Sequence, residues 1–139
     1  MSSKTSLQAA EALHSGAIRV LRMVRAEDAQ AGVGPAQLSA LSVLVFAGEK
    51  TVGELAALEQ VRPPTMSRIV DGLVQKKLVE RVSSSSDRRS VQITATPAGR
   101  KLLLAGRDRR VRALAKRFDD LNKKEVETLL AAAEIMKRI

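Results

Sequence analysis

The sequence contains no cysteine and one histidine, His14. Without thiols the chain cannot build a disulfide framework or use a cysteine nucleophile. A zinc or iron site usually takes imidazole or thiolate ligands, so such a site here would need an unusual set of carboxylates. We therefore predict neither a metal nor a cofactor.

Long apolar runs and catalytic motifs are also missing. No stretch of about 18 apolar residues occurs, and the first residues lack the basic and apolar regions of a signal peptide. We therefore expect no membrane partner and a cytoplasmic location. The sequence has no GxSxG, P-loop, GxGxxG or HExxH motif, so we predict that it is not an enzyme.

Aromatic residues are nearly absent, with only Phe46 and Phe118. Proteins that bind RNA or single-stranded DNA commonly stack bases on aromatic side chains. If the chain binds a nucleic acid, its composition favours double-stranded DNA.

Positive charge is concentrated in the middle of the chain. Residues 62–117 carry 15 Lys and Arg against 4 Asp and Glu, whereas the segments before and after them are each close to neutral. Lysine and arginine gain free energy by releasing counterions from phosphates. This clustering favours a polyanionic partner over a merely basic surface.

The periodicity of apolar residues predicts a mainly α fold in one domain of 139 residues. We predict a first helix over about 6–30, a second from Pro35, a third capped by Thr51 and Glu54, and a fourth over about 63–76. Two strands, 79–82 and 91–95, are joined by a serine-rich loop and form a hairpin. A fifth helix begins at Thr96 and Pro97, and Asn122 and Glu125 cap a sixth.

A short helix, a turn, a second helix and a hairpin follow one another within about 45 residues. This order defines a winged helix-turn-helix, in which the second helix enters the major groove of DNA. Apolar residues fix the buried face of that helix, so the opposite face presents Arg68, the best candidate for a base contact. Further DNA-binding residues predicted on or next to this helix are Arg62, Pro64, Thr65, Ser67 and Gln75.

The tip of the hairpin contains Asp87, Arg88 and Arg89. Arginine at a wing tip can enter the minor groove, where narrow A·T tracts concentrate negative potential. A charge-assisted hydrogen bond from Arg89 to Asp87 would hold that arginine in place. We predict that all three residues contribute to DNA binding.

The stretch DRRSVQITATPAG, preceded by PPTMSRIVDGLVQKKLVERV, resembles the MarR family, the multiple antibiotic resistance regulators. Asp87, Arg89, Thr94 and Gly99 fall on the family's wing signature, and residues 63–77 fall on its recognition helix. The resemblance implies a repressor that acts as a homodimer on a pseudo-palindromic operator. It also implies control by a ligand or an oxidant, but without cysteine a thiol peroxide sensor is excluded, and one histidine makes a poor metal sensor. A small anionic or phenolic effector stays open.

The resemblance and the amphipathic terminal helices together predict the organisation of the chain. Residues 1–139 form a single MarR-like domain, with dimerisation helices at about 1–34 and 97–139 and a winged-helix DNA-binding lobe at about 35–96. His14 lies on the apolar stripe of the first helix, as either a titrating switch or an ordinary interface or surface residue. The predicted dimer interface contains Leu7, His14, Leu21, Leu114, Phe118, Leu129 and Met136.

One other function remains open at this point. A winged-helix domain can lose specific readout and serve as an interaction module that binds protein, or nucleic acid without sequence preference. The outward arginines Arg68, Arg88 and Arg89 distinguish the two functions, because specific readout requires side chains that contact base edges.

Overall fold

The computed structural model describes residues 1–83 and 90–139. Over these residues the chain forms six α-helices, one 3₁₀ turn and one two-stranded antiparallel sheet, which confirms the predicted mainly α fold with a β-hairpin. The elements are α1 (Lys4–Arg25), the 3₁₀ turn (Ala26–Gln30), α2 (Pro35–Ala47), α3 (Val52–Leu58), α4 (Pro63–Gln75), β1 (Val79–Ser83), β2 (Val91–Ala95), α5 (Pro97–Phe118) and α6 (Lys123–Met136).

The first helix is shorter than predicted. The apolar stripe predicted one helix over about 6–30, but α1 begins at Lys4 and ends at Arg25, and the chain continues as a 3₁₀ turn to Gln30. Helix ends often tighten into 3₁₀ geometry, and residues 26–30 carry no large apolar side chain whose spacing could show where the α-helix ends.

The fold divides into two compact units. One, which we call the helical unit, consists of Met1–Glu27 and Asp108–Ile139. The other, the winged-helix unit, consists of Asp28–Arg107. Among the described residues, every buried hydrophobic side chain lies between Val33 and Leu103, so the hydrophobic core belongs to the winged-helix unit.

Side chains from α2, α3, α4, the hairpin and the first part of α5 form most of this core. Each element contributes residues from one face, as the amphipathic pattern of the sequence predicts. Complete burial of one such side chain is worth about 1.5–3 kcal/mol, so this cluster fixes the relative placement of the elements. The largest fully buried side chains are Leu41, Leu55, Met66, Val70, Leu73, Val79 and Ile93.

The hairpin is tied to the connection between α2 and α3. In its register Val79 faces Ala95 and Arg81 faces Ile93. Ile93 also forms a bridge with Lys50, through hydrogen bonds of 3.1 Å from the Lys50 amide and 2.7 Å from the Ile93 amide. The sequence does not predict this bridge, because a single bridging residue has no periodicity of its own.

No helix within residues 1–83 and 90–139 combines the length and the apolarity that a membrane span requires. The histidine and carboxylate side chains of the same residues form no group of three or more that could hold a metal ion.

Candidate nucleic-acid interface

The helix-turn-helix begins with the predicted capping box at the start of α3. The hydroxyl group of Thr51 accepts a hydrogen bond of 3.1 Å from the Glu54 amide, and the Glu54 carboxylate accepts one of 3.0 Å from the Thr51 amide. These bonds satisfy two amides that a helix leaves without intrahelical partners. The bond from the Thr51 amide is the main cause that lowers the pKa of Glu54, and the Thr51 hydroxyl and the charge of Lys50 act in the same direction.

The turn between α3 and α4 is compact. Gln60 adopts a left-handed backbone conformation with φ of 56°, and the Val61 amide donates a 3.0 Å hydrogen bond to the carbonyl of Ala56. Glu59 accepts a 2.7 Å bond from the hydroxyl of Ser39 on α2. The turn is thus fixed both by its own backbone and by the preceding helix.

One face of α4 is anchored in the core. Met66, Val70 and Leu73 are fully buried and follow the spacing of one helical face. Their burial fixes the rotation of the helix about its axis and leaves the opposite face in solvent. The exposed side chains on that face are Pro64, Thr65, Arg68, Asp71 and Gln75.

The structure places the residues predicted for DNA binding on α4 together at this surface. Arg62 is exposed at the N-cap of α4, and Arg68 and Gln75 follow along the exposed face. Ser67 is half-buried, so less of its side chain is accessible. The predicted residues Asp87, Arg88 and Arg89 lie outside the described residues.

The C-terminal end of α4 is held by a polar cluster that sequence analysis did not identify. The ammonium group of Lys76 donates hydrogen bonds to the Gly32 carbonyl at 2.9 Å and to the Gln37 side-chain oxygen at 3.1 Å. The Gln37 amide group lies against Gly72, where a Cβ atom would overlap it. These partners are 35 to 44 residues apart in the sequence, so no local pattern brings them together.

A second unpredicted contact joins α4 to the wing. Arg81 on β1 donates a hydrogen bond from its Nη2 atom to the Asp71 carboxylate and forms an ion pair with it. The side chains retain 38% and 64% of their accessible surface, respectively. The recognition helix and the wing are therefore linked by charge as well as by the apolar core.

The predicted dimer residues all belong to the helical unit. Within the described part of that unit no side chain joins the buried core, and α1 and α6 contain no buried residue. Leu114 and Phe118 are half-buried, and His14 is exposed. The exposed fractions of the other four are 55% for Leu7, 53% for Leu21, 41% for Leu129 and 47% for Met136.

The helical unit also contains a surface depression at the start of α6. Its volume is about 430 Å³, and apolar side chains line it together with the polar first turn of the helix. Because Leu129 belongs to it, the depression overlaps the predicted dimer interface. The lining residues are Leu121, Asn122, Lys124, Glu125, Thr128 and Leu129.

Helix α4 is anchored in the core and exposes a partly basic face. A capped short helix precedes it and a hairpin follows it. This arrangement defines a winged helix-turn-helix DNA-binding protein. A family model described as the MarR family matches residues 31–90, a range that contains α2, the helix-turn-helix and β1. The chain belongs to the MarR family and is a DNA-binding transcriptional regulator, which confirms the resemblance found in the sequence and the prediction that it is not an enzyme.

Individual relatives agree with this assignment. The chain is 36% identical over 119 residues to an HTH-type transcriptional regulator of Mycobacterium bovis, covering 86% of this chain and 83% of the relative. It is 33% identical over 111 residues to the HTH-type transcriptional repressor MdtR of Bacillus subtilis, covering 78% and 68%. A crystal structure of a transcriptional regulator from Thermotoga maritima superposes with a TM-score of 0.82 at 25% identity, covering 94% and 92% of the chains.

Proposed function

We propose that this regulator binds a pseudo-palindromic operator as a homodimer, represses transcription from it, and recognises its sequence mainly through the exposed face of α4. The observation that carries the proposal is the anchoring of α4 by Met66, Val70 and Leu73, which directs Arg68 away from the core. A rigid recognition helix holds its side chains in register with base edges, which specific readout requires.

Arg68 is assigned the central base contact. Arginine forms two hydrogen bonds with the major-groove edge of guanine, and one such pair is worth about 1–3 kcal/mol of discrimination. Pro64, Thr65, Ser67 and Gln75 lie along the same helix and contribute shape or further polar contacts. The predicted wing residues Arg88 and Arg89 keep their proposed contact with the minor groove or backbone, and Asp87 keeps its proposed role of holding Arg89 in place.

Phosphate contacts at the start of α4 come from side chains in this proposal. A helix N-terminus usually offers several free amides to a phosphate, but Pro63 and Pro64 have no amide hydrogen. The exposed Arg62 at the N-cap and the hydroxyl group of Thr65 supply donors there instead.

The homodimer is supported by the apolar surface of the helical unit. Several leucine side chains of α1 and α6 keep between about two fifths and two thirds of their surface in solvent, as Leu129 at 41% and Leu130 at 65% show. Large apolar side chains exposed in this number on two helices favour a protein interface over a solvated surface. A two-fold dimer would place two recognition helices on half-sites about one turn of DNA apart.

Release of the operator by a small effector is supported by the family resemblance alone. The expected ligand is anionic or phenolic. Operator titrations in the presence of small aromatic carboxylates test this part, and an affinity unchanged by every member of such a panel would contradict it.

The experiment for the central proposal compares a fluorescent duplex of the protein's own upstream DNA with a scrambled duplex of equal length at two salt concentrations. Specific affinity should exceed nonspecific affinity by about 10³-fold or more. The change Arg68→Ala should weaken binding to the upstream duplex about 10- to 100-fold and leave binding to the scrambled duplex nearly unchanged. Equal binding of the wild-type protein to both duplexes, and to any site recovered from a random pool, would favour the nonspecific interaction module.

Arg100→Ala provides a matched control for Arg68→Ala. Arg100 is exposed near the start of α5, outside the recognition helix, so its removal changes net charge by the same amount. A similar loss of operator preference in both variants would show that charge, rather than a base contact, explains the effect. A lacZ reporter behind the operator, measured with and without the regulator, tests repression against activation.

A further inference from the structure

We propose that Arg81 is an additional DNA-contact residue, which binds a phosphate beside the recognition helix, and that Asp71 is the positioning residue that orients it. This inference rests on the proposed function, in which the exposed face of α4 lies against DNA. It adds a contact from the base of the wing to those assigned to the helix and the wing tip.

The register of the hairpin shows that Arg81 is not an ordinary solvated strand residue. Directly opposed residues in an antiparallel pair project from the same face of the sheet. Arg81 is opposed to Ile93, which is fully buried, and it follows Val79 by two positions on the same strand. Arg81 therefore projects from the face of the hairpin that packs on the core, at the point where this face reaches the surface.

The alternation of side chains along β1 also indicates that Arg81 projects from the core-facing side of the hairpin. Glu80 and Val82 occupy the outer face, and Val82 keeps 44% of its surface exposed. The arginine thus takes an inward position and the valine an outward one, against the usual pattern for a half-buried strand. A charged residue in an inward position needs a partner, and the Asp71 carboxylate of α4 provides it.

Asp71 brings the guanidinium group to the DNA-facing side of α4. It lies three residues after Arg68 and four before Gln75, so all three share one helical face. Since Arg81 pairs with Asp71, its guanidinium group also lies at this face. The group has five N–H donors, and a single carboxylate uses at most two of them, which leaves donors for a phosphate oxygen.

The pair also explains why an acidic residue is compatible with a DNA-binding surface. An isolated carboxylate on the exposed face of α4 would repel phosphates. Paired with Arg81 it carries no net charge locally, and it restricts the arginine to fewer conformations before DNA arrives. A preordered side chain loses less conformational entropy on binding, so the pair favours a phosphate contact over a freely rotating arginine.

The test measures binding of the full-length protein to the operator and to a scrambled duplex across a range of salt concentrations. Arg81→Gln should weaken binding to both duplexes about 3- to 10-fold and reduce the slope of log K against log salt by about 1.8, which is about 0.9 for the one phosphate contact that each subunit of the dimer loses. Arg81→Lys keeps the charge and should restore most of the slope. An unchanged slope for Arg81→Gln would overturn the phosphate assignment.

Asp71→Asn distinguishes a charge effect from a positioning effect by the direction in which the DNA affinity changes. Removing a negative charge from a DNA-facing helix should strengthen binding if charge alone mattered, whereas loss of the orienting carboxylate should weaken it about 2- to 5-fold. Glu80→Gln is the matched control, because it removes the same charge from the neighbouring outward position of β1. If Asp71→Asn binds DNA as tightly as Glu80→Gln does, the positioning role is wrong.

A double-variant cycle separates positioning from a general structural effect. In the Arg81→Gln background, Asp71→Asn should cause no further loss of affinity, and equal losses in both backgrounds would overturn the proposal. Thermal unfolding of each variant identifies any that fail to fold, and Asp71→Glu then replaces Asp71→Asn. A wild-type protein without operator preference would contradict the proposed function alone. The salt slope on the scrambled duplex would still test the phosphate contact of Arg81 in that case.

Discussion

Gly99, in the first turn of α5, lies directly against the backbone carbonyl group of Leu78, the residue before β1. A Cβ atom at this position would overlap that carbonyl oxygen, and a backbone group cannot move aside as a flexible side chain can. The same carbonyl accepts a 3.0 Å hydrogen bond from the Thr96 amide. The start of α5 is therefore packed against the hairpin at backbone distance.

We expect Gly99→Ala to destabilise the winged-helix unit by about 1–3 kcal/mol, the usual cost of overpacking. Urea unfolding followed by circular dichroism measures the change. Gly53→Ala in α3 is the control, because the nearest atom to a Cβ there is the Thr51 hydroxyl oxygen at 3.8 Å. That substitution should stabilise the protein, since alanine favours helix over glycine by up to about 1 kcal/mol. Equal effects of the two changes would contradict the backbone-contact argument.

Lys77 offers a stabilising substitution. It has φ of 61°, a left-handed conformation that costs a non-glycine residue about 1–2 kcal/mol. Lys77→Gly should therefore raise the unfolding free energy by about 1 kcal/mol after glycine's extra chain entropy is counted. Lys77→Ala removes the same charge without relieving the backbone, so it should give no comparable gain. If alanine stabilised the protein as much as glycine, the cause would be charge rather than backbone conformation.

The sequence predicted the elements of this fold because their signals are local. Apolar spacing identified α4 to within one residue, and the Thr51 and Asn122 capping boxes mark the starts of α3 and α6 as predicted. A cap involves residues three positions apart, and one helical face repeats within a few residues, so both are visible without knowledge of the fold.

The contacts that join the elements were not predicted, for the opposite reason. Arg81 and Asp71 are ten residues apart and belong to different kinds of element, and Lys76 reaches Gly32 across 44 residues. Such pairs depend on the packing of whole elements around the core. The buried face of α4 predicts which of its side chains face outward, but the partner of Asp71 depends on the position of the hairpin.

The capping box of α3 predicts a dependence of stability on pH. The pKa of Glu54 is lowered in the folded protein, chiefly by the hydrogen bond from the Thr51 amide. A carboxylate with a lowered pKa stabilises the fold above its ordinary pKa of 4.5, and this contribution is lost as the pH falls through the folded value. The stability advantage of the wild-type protein over Glu54→Gln should therefore be constant near neutral pH and shrink below pH 4.5.

Urea midpoints of both proteins between neutral and acidic pH test this expectation. Glu49→Gln is a suitable control, because this exposed carboxylate precedes the helix and caps no amide of α3. Thr51→Ala removes the other half of the box and should cost about 1 kcal/mol at neutral pH. A Glu54→Gln difference that persists unchanged into acid would show that the glutamate acts through packing and not through its charge.

The helical unit predicts a change of assembly when its apolar surface becomes charged. Leu21 on α1 and Leu129 on α6 have exposed fractions of 53% and 41%, so glutamate at either position creates no buried charge within one chain. In the proposed dimer the same side chains are covered, and an unpaired buried charge there would cost several kcal/mol. The double variant Leu21→Glu/Leu129→Glu should therefore be a monomer by multi-angle light scattering, whereas Leu58→Glu, exposed to 57% in the winged-helix unit, should keep the wild-type mass. A wild-type mass for the double variant would exclude this surface as the dimer interface. A monomeric variant should also bind an operator with two half-sites more weakly than the wild-type protein does, because its two recognition helices are no longer linked.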